Sequence, residues 1–236
     1  TDEETGMDGA REVKSEKISA PYLINIDSEE EGVCWCGCAG GQRIEIELPL
    51  QREECSGYCV EVSIGGLSGG HSGADIHKYI PNAVHVLGRL LSEVSEKINI
   101  RVLDMNGGEK DNSIPVNSAV RFIVSDSGEA NKVIAEVAEA ITAVYGRSQK
   151  NLQIQSRIAE VKTRELSLSK ECQEKFLFLL NQLPDGVQSM STQIPELVET
   201  SINLGIFEMT ANEAVYHLSL RSSVAYELQG IRKKVK

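Results

Sequence analysis

The chain has 236 residues, a formal net charge of −11 and 41% hydrophobic residues, a composition typical of folded globular proteins. The acidic excess argues against a nucleic-acid-binding protein, which needs a basic face, and against adhesion to anionic membranes. The longest apolar run covers residues 176–180, far short of the ~20 residues that cross a bilayer. Six cysteines are too few for a disulfide scaffold in a chain of this length, so we expect a reduced, cytoplasmic protein.

The first thirty-odd residues differ in pattern from the rest of the chain. An apolar run over residues 22–26 ends in an acidic loop that starts at Asp27. Such a run is typical of a strand buried on both faces of a parallel sheet, and functional groups gather just past the ends of these strands. Because the chain starts at Thr1 without Met and ends without a cap or packing partner, we expect it to be a piece of a longer polypeptide.

From Arg43 onward the pattern predicts antiparallel strands and amphipathic helices. Strict alternation of apolar and polar residues over residues 43–50 and 59–64 indicates strands with one face in water. Apolar residues at three- and four-residue spacing then indicate a helix over residues 84–94. Asn82 and His85 belong to this helical segment, and we expect them to be ordinary surface positions.

The order strand, helix, strand, strand, helix is most of a split βαβ arrangement, with helices on one face of an antiparallel sheet. A polar stretch, residues 151–165, is predicted to be a helix that bridges two halves, and a second sheet-and-helix unit follows it. The predicted elements after the first helix are strands over residues 98–102, 120–124, 198–209 and 214–224, and helices over residues 133–144 and 172–183.

Three carboxylates near the N-terminus are the first candidates for chemistry. Glu3 and Glu4 are adjacent, so their side chains diverge on an extended backbone. One of them can ligate a metal ion while the other accepts a proton. Asp27, at a predicted strand end, could add a further oxygen ligand. The alternative is that residues 2–4 are a solvated run of terminal charges.

The glycine-rich loop over residues 65–73 carries the second candidate, His71. Glycines on both sides let the backbone bring an imidazole close to a ligand. The alternative is an ordinary histidine on a surface loop.

The third candidate is the predicted strand over residues 215–221. Its alternation places His217, Ser219 and Arg221 on one face. Arg221 could hold a substrate carboxylate there through two parallel hydrogen bonds. The alternative is that this is the solvent face of a one-sided sheet.

Three alternating cysteines, Cys34, Cys36 and Cys38, lack the Cys-x₂₋₄-Cys spacing of zinc sites. We therefore expect them to be small buried core residues. The sequence shows no phosphate-binding loop, nucleophile elbow or dinucleotide fingerprint.

Six segments in a fixed order are the most specific feature of the sequence. They are TDEETGM at residues 1–7, NIDSEEEG at 25–32, GCAGG at 37–41, GGLSGGHSG at 65–73, NSIP at 112–115 and LRS at 220–222. Together they resemble the aminoacyl-histidine dipeptidases, also called Xaa-His, cytosolic non-specific or carnosine-type dipeptidases. These belong to a family of dinuclear zinc peptidases that includes carboxypeptidase G, aminoacylase and peptidase T. The resemblance extends over most of the chain.

The resemblance implies a two-domain enzyme, in which a catalytic α/β domain holds two zinc ions and a lid is inserted into it. Residues 1–42 would be a segment of the catalytic domain, residues 43–224 the lid, and residues 225–236 the start of the return to the catalytic domain. The lid would be α+β, with antiparallel sheets and helices on one face, as two ferredoxin-like split βαβ units. It could also join two copies into a homodimer.

On the metal side, the resemblance assigns three acids. Glu3 matches the general base, and Glu4 and Asp27 each match a ligand of one zinc ion. The family's upstream His-x-Asp segment, its bridging aspartate and its distal histidine have no counterpart here. Because a zinc ion needs roughly four ligands, the chain alone is expected to bind zinc poorly and to be inactive.

On the lid side, the resemblance assigns three further residues. His71 matches the histidine that stabilises the oxyanion at the scissile carbonyl. Asn112 and Arg221 match positions that hold the backbone or the terminal carboxylate of the substrate.

The implied function is therefore that of a fragment of a zinc-dependent dipeptidase, which hydrolyses Xaa-His and related dipeptides with metal-activated water. Two other hypotheses stay open. The chain could be a non-catalytic lid or dimerisation module that provides substrate contacts only, or a plain α+β domain in which the loop histidine has no role.

Overall fold

The structure is a computed structural model that describes residues 8–14, 16, 18–22, 24, 31–34 and 37–235. The chain divides into two compact units, residues 1–38 and residues 39–236. Four residues that the sequence singles out lie outside the described residues, and their assignments stay predictions: Glu3, Glu4, Asp27 and Cys36.

In the first unit, the described residues form one short α-helix, α1 (Asp8–Arg11), and no strand. Tyr22 and Ile24, predicted to lie in a buried strand, are each 86% exposed. Cys34 and Cys38, predicted to be buried, are exposed as well. These predictions are wrong for this structure, because a strand buried on both faces needs neighbouring strands, and the described part of this unit supplies none.

The described part of the second unit contains an eight-stranded sheet and a separate two-stranded sheet. The strands are β1 (Gly40–Pro49), β2 (Arg52–Gly65), β3 (Gly70–His71), β4 (Ile100–Gly107), β5 (Ser113–Ile114), β6 (Ser118–Val124), β7 (Gln153–Leu168), β8 (Gly186–Met190), β9 (Val198–Met209) and β10 (Glu213–Ser222). In the large sheet the order is β1-β10-β9-β4-β6-β2-β7, and β8 also pairs with β9. The small sheet pairs β3 with β5, and all pairs are antiparallel.

Helices cover one face of the large sheet. They are α2 (Ala83–Lys97), α3 (Ser127–Tyr145), α4 (Lys170–Gln182) and α5 (Ala225–Lys234). Their apolar faces and the inward-facing strand residues form one core. The predicted spacing of α2 is confirmed, since Val84, Leu87, Leu91 and Val94 are fully buried. None of the helices in the described ranges is both long and apolar enough to cross a membrane.

The predicted α+β fold is confirmed. β2, α2, β4, β6, α3 and β7 follow one another as a split βαβ unit, with the sheet order β4-β6-β2-β7. The second half supplies α4, β9 and β10 in the same layers, and β1 lies beside β10. Because α4 packs against α2 and β9 pairs with β4, the two halves share one continuous sheet.

Two local predictions are wrong. Residues 151–165, predicted to be a polar helix, form most of β7, because β2 offers a long edge to pair with and Ile154 and Ile158 turn toward the core. An edge strand with one wet face carries few apolar residues, so its alternation is weak. The chain end, predicted to lack a packing partner, forms α5, and Ile231 on this helix is only 3% exposed.

Strand β9 changes partners in its middle. Along one edge, the residues of β9 up to Ile202 pair with β8, and those from Phe207 onward pair with β4. None of the described strands pairs with residues 203–206 on that edge, and we call these four residues the notch. On the other edge β9 stays paired with β10, with a bulge at Gly205. The loop that carries Asn112 reaches the sheet at the notch, where a Cβ at Gly205 would lie 2.5 Å from Asp111 O.

Candidate functional site

Strand β10 has one apolar face and one polar face, as predicted. Three of its residues are at most 1% exposed and face the core: Tyr216, Leu218 and Leu220. His217, Ser219 and Arg221 therefore lie on the face turned away from the helices. His217 Nδ1 is 3.3 Å from Glu45 Oε1 on β1. Arg221, toward the other end of the strand, is covered by the loop that carries His71.

His71 is held in one orientation by its own loop. It lies in the short strand β3, opposite Ser113 of β5. Its Nδ1 accepts hydrogen bonds from the backbone N–H groups of Ala74 at 3.0 Å and Gly73 at 3.3 Å. A ring nitrogen that accepts must keep its lone pair, so the proton of the neutral imidazole lies on Nε2. The residue is exposed, and its Nε2–H is available to a ligand.

Asp75 fixes the backbone of His71. Its Oδ2 accepts the His71 N–H at 2.8 Å, and its Oδ1 accepts from Lys78 Nζ at 2.6 Å. The bond from the Lys78 ammonium, together with the bond from the His71 N–H, holds the pKa of the Asp75 carboxyl below its usual range. Gly70 makes room for this contact, because a Cβ there would lie 2.7 Å from Asp75 Cβ. Asp75 is therefore charged at neutral pH and keeps the loop in place.

Gly73 is the point at which His71 and Arg221 come together. A Cβ at Gly73 would lie 3.2 Å from Arg221 Nε, 3.2 Å from Arg221 Cζ and 3.2 Å from His71 Cε1. The imidazole and the guanidinium therefore border the same small space, although they lie far apart in the sequence. Arg221 Nε is buried and has no hydrogen-bond partner among the described residues.

Asn112 joins this group through its backbone. Its carbonyl oxygen accepts the Ser72 N–H at 2.8 Å, which ties its loop to the loop that carries His71. The preceding residue, Asp111, forms an ion pair with Arg43 on β1. The structure therefore brings all three predicted lid residues into one region of the second unit.

Asn82 is buried and His85 is partly buried, so neither is the ordinary surface position that the sequence predicts. Asn82 is 3% exposed; its Oδ1 accepts the Val84 N–H, and its Nδ2 donates to Leu204 O at 2.9 Å in the notch. Asp185 Oδ1 accepts the Leu204 N–H at 3.0 Å and lies 3.8 Å from His85 Nε2. Burial raises the pKa of the Asp185 carboxyl, and the charge of His85 opposes that rise only in part. An asparagine directly before an amphipathic helix is an N-cap signal, so the role of Asn82 at the start of α2 could have been predicted.

The site presents mainly hydrogen-bond donors. His71 offers its Nε2–H, and Arg221 offers several guanidinium N–H groups. The nearby carboxylates of Asp75 and Asp111 are already paired with basic side chains. Such a set of donors suits an anionic oxygen, either of a substrate carboxylate or of the oxyanion formed in acyl transfer. A cleft of about 390 Å³ opens beside the β3–β5 pair, but its lining includes none of His71, Asn112 and Arg221, so it is not part of this set of donors.

The described residues do not form a metal centre. Among them, no three His, Cys, Asp or Glu side chains lie in an arrangement that could hold a metal ion. Glu4 and Asp27, which the resemblance assigns to zinc, and the predicted base Glu3 lie in the part of the chain that the structure does not describe.

Known proteins match both the sequence and the fold. Residues 62–149 match the family described as Peptidase dimerisation domain, of the M20 peptidases. Over 226 residues the chain is 35% identical to the cytosol non-specific dipeptidase of Escherichia coli (strain K12), a match that covers 94% of the chain and 46% of that protein. The crystal structure of aminoacylhistidine dipeptidase from Vibrio alginolyticus superposes with a TM-score of 0.84 at 28% identity, covering 99% of this chain and 48% of that one.

The chain thus spans about half the length of the relatives it matches. The matched family domain covers β4, β6 and α3 completely, and it includes the loop that carries His71. The resemblance seen in the sequence motifs is confirmed. The chain therefore belongs to the M20 family, carries its peptidase dimerisation domain, and fits the central part of an M20 dipeptidase.

Proposed function

We propose that the complete protein to which this chain belongs is a zinc-dependent dipeptidase that hydrolyses Xaa-His and related dipeptides. The names of both relatives support a dipeptidase, and the name of the Vibrio alginolyticus enzyme supports substrates that contain histidine. The observation that carries the proposal is the convergence of His71 and Arg221 around Gly73. These two donors suit the two anionic groups of a dipeptide in hydrolysis, the oxyanion and the terminal carboxylate.

His71 would stabilise the oxyanion. Its Nδ1 is occupied by the N–H groups of Gly73 and Ala74, so the proton it can offer lies on Nε2. A donor that is oriented before the substrate arrives stabilises developing negative charge without reorganising. Loss of one such donor typically lowers kcat ~10²–10³-fold.

Arg221 would hold the terminal carboxylate of the dipeptide. A guanidinium matches a carboxylate through two parallel N–H···O bonds. In a dipeptide this carboxylate lies one residue from the scissile bond, so a cation placed beside the oxyanion donor selects dipeptides over longer peptides. Asn112, on the neighbouring loop, would contact the substrate backbone.

The metal side of the site would come from the first unit and from the rest of the complete protein. Glu4 and Asp27 would each ligate one zinc ion, and Glu3 would accept a proton from the attacking water. Zinc, when bound, supplies Lewis-acid activation of that water. Because each ion needs about four ligands, the isolated 236-residue chain would be inactive.

Domain organisation, assembly and location belong to the same proposal. Residues 43–224 would be the lid, with catalytic-domain segments at residues 1–42 and 225–236. The description of the matched family as a dimerisation domain supports a homodimer formed through the lid. It also favours the second candidate function, a non-catalytic module that only contributes contacts. The name of the Escherichia coli relative supports a cytoplasmic location.

The test compares His71→Ala with His77→Ala in the complete, zinc-loaded protein. His77 is exposed and lies in the 3-10 turn that follows the same loop, so it controls for removal of a loop imidazole. We expect His71→Ala to lower kcat for an Xaa-His dipeptide by ~10²-fold or more, and His77→Ala to leave it unchanged. Turnover that is insensitive to His71→Ala would contradict the proposal. A dimeric protein without dipeptide turnover would support the second candidate.

A further inference from the structure

We propose that Asn203 is a positioning residue that sets the distance between His71 and Arg221, an inference that rests on the proposed function. Asn203 is the first residue of the notch and is 1% exposed. In the β9–β10 register it lies opposite Ser219, and Ser201 lies opposite Arg221. Because residues directly opposite one another share a face of the sheet, Asn203 lies on the same face as Arg221.

One hydrogen bond joins Asn203 to the loop beside His71. Asn203 Nδ2 donates to Ser113 O at 2.8 Å. Ser113 is the residue opposite His71 in the β3–β5 pair, and the carbonyl of the adjacent Asn112 accepts the Ser72 N–H at 2.8 Å. The backbone at Asn112 and Ser113 therefore lies between Asn203 and the loop that carries His71, and it is hydrogen-bonded to both.

The notch explains why a side chain makes this contact. None of the described strands pairs with residues 203–206 on the edge that faces β8 and β4, so ladder hydrogen bonds cannot hold the loop there. At Gly205 the loop approaches closely, because a Cβ would lie only 2.5 Å from Asp111 O. Gly205 therefore permits the approach, and the hydrogen bond from Asn203 fixes where along β9 the loop lies.

A buried amide at this position is unfavourable for stability alone. Asn203 Oδ1 is buried and has no hydrogen-bond partner among the described residues, and such an unpaired carbonyl costs free energy. Locally unfavourable choices of this kind are found at functional sites. The contact that Asn203 does make, to Ser113 O, acts on His71 through the β3–β5 pair.

The test uses Asn203→Asp in the complete protein, since aspartate keeps the shape of the side chain and loses the Nδ2 donor. Asn203→Ala serves if the buried carboxylate prevents folding. Asn181→Asp on α4 controls for the loss of an amide donor to a backbone carbonyl, since the exposed Asn181 donates through Nδ2 to Leu177 O at 2.7 Å on the helical face of the sheet. We expect the Asn203 variants to lower kcat for an Xaa-His dipeptide ~10–100-fold with KM changed less than about threefold. The control should retain wild-type kcat.

Amide hydrogen exchange gives a readout that does not depend on turnover. The Ser72 and Asp75 N–H groups donate to Asn112 O and His71 O, and we expect both to exchange ~10-fold faster or more in the Asn203 variants, with β10 unchanged. Unchanged kcat or unchanged exchange at these amides in a folded variant overturns the proposal, and so does a uniform increase across the second unit. If the wild-type protein hydrolyses no dipeptide, the proposed function fails, and the exchange result still decides whether Asn203 positions the loop.

Discussion

Gly108 and Gly186 provide a matched pair of glycine-to-alanine substitutions. Both residues have a left-handed backbone, with φ of 78° and 81°. Gly108 packs against the notch, where a Cβ would lie 2.0 Å from Gly205 O, whereas none of the described residues lies within 4 Å of a Cβ at Gly186. The pair therefore separates the cost of the backbone conformation from the cost of forcing the loop away from β9.

The expected magnitudes follow from these distances. Alanine in the left-handed region costs ~1–2 kcal/mol at either position, offset by ~0.4–1 kcal/mol because the unfolded chain becomes less flexible. At Gly108 the added methyl group also overlaps a backbone carbonyl, and overpacking costs a further ~1–3 kcal/mol. We expect Gly186→Ala to lower the free energy of unfolding by about 1 kcal/mol and Gly108→Ala by about 2–4 kcal/mol.

Native-state hydrogen exchange of the complete protein measures these losses as the opening free energies of amides in β4 and β9. Since the loop after Gly108 carries Asn112, Gly108→Ala should also lower dipeptide turnover, which Gly186→Ala should leave intact. Equal losses of stability in the two variants would show that the close approach to Gly205 contributes nothing beyond the backbone conformation, contrary to this prediction.

Two further predictions concern stability. The Arg52 guanidinium donates to backbone carbonyls of β4, β7 and the β9–β10 turn; we expect Arg52→Leu to lower the free energy of unfolding by about 2–4 kcal/mol, and an unchanged midpoint of thermal unfolding would contradict this. Because burial raises the pKa of Asp185, the folded protein binds a proton that the unfolded chain has released, so stability falls as pH rises from the usual carboxyl range, near ~4, through the raised pKa. Asp185→Asn keeps an acceptor for the Leu204 N–H and should remove this fall, whereas Asp185→Ala should lower stability by ~1–3 kcal/mol at every pH. Urea unfolding at a series of pH values measures the stability of both variants. A pH dependence that persists in Asp185→Asn would show that another group causes it.

The elements that could be predicted from the sequence are those with a strong local pattern. The helix α2 and the strand β10 each alternate between apolar and polar residues at one clear period, and burial in the structure follows that period. β7 could not be predicted in this way, because its inward-facing Ile154 and Ile158 are separated by a polar stretch. Its conformation is decided by pairing with β2, which lies about a hundred residues earlier in the chain.

In the candidate site, too, single residues could be predicted from local patterns, whereas contacts between distant segments could not. His71 and Arg221 could be identified from a glycine-rich loop, an alternating strand and a resemblance to a family. Their convergence at Gly73 could not be predicted, because it is a tertiary contact between a loop and a strand that lie far apart in the sequence. Asn203 carries no local signal either, since it is one polar residue on an alternating strand. Only the register of β9 and the position of Ser113 in β5 show what it contacts.

The proposed function has the terminal carboxylate of a dipeptide bound at Arg221, beside His71. The most direct measurement is kcat/KM of the complete, zinc-loaded protein for an Xaa-His dipeptide and for the same dipeptide with an amidated C-terminus, in the wild type and in Arg221→Gln. Because the amide lacks the charged pair of oxygens that a guanidinium binds, we expect the wild type to prefer the free carboxylate ~10²-fold. Arg221→Gln should show almost no preference. A preference that is undiminished in Arg221→Gln would contradict binding of the carboxylate by Arg221.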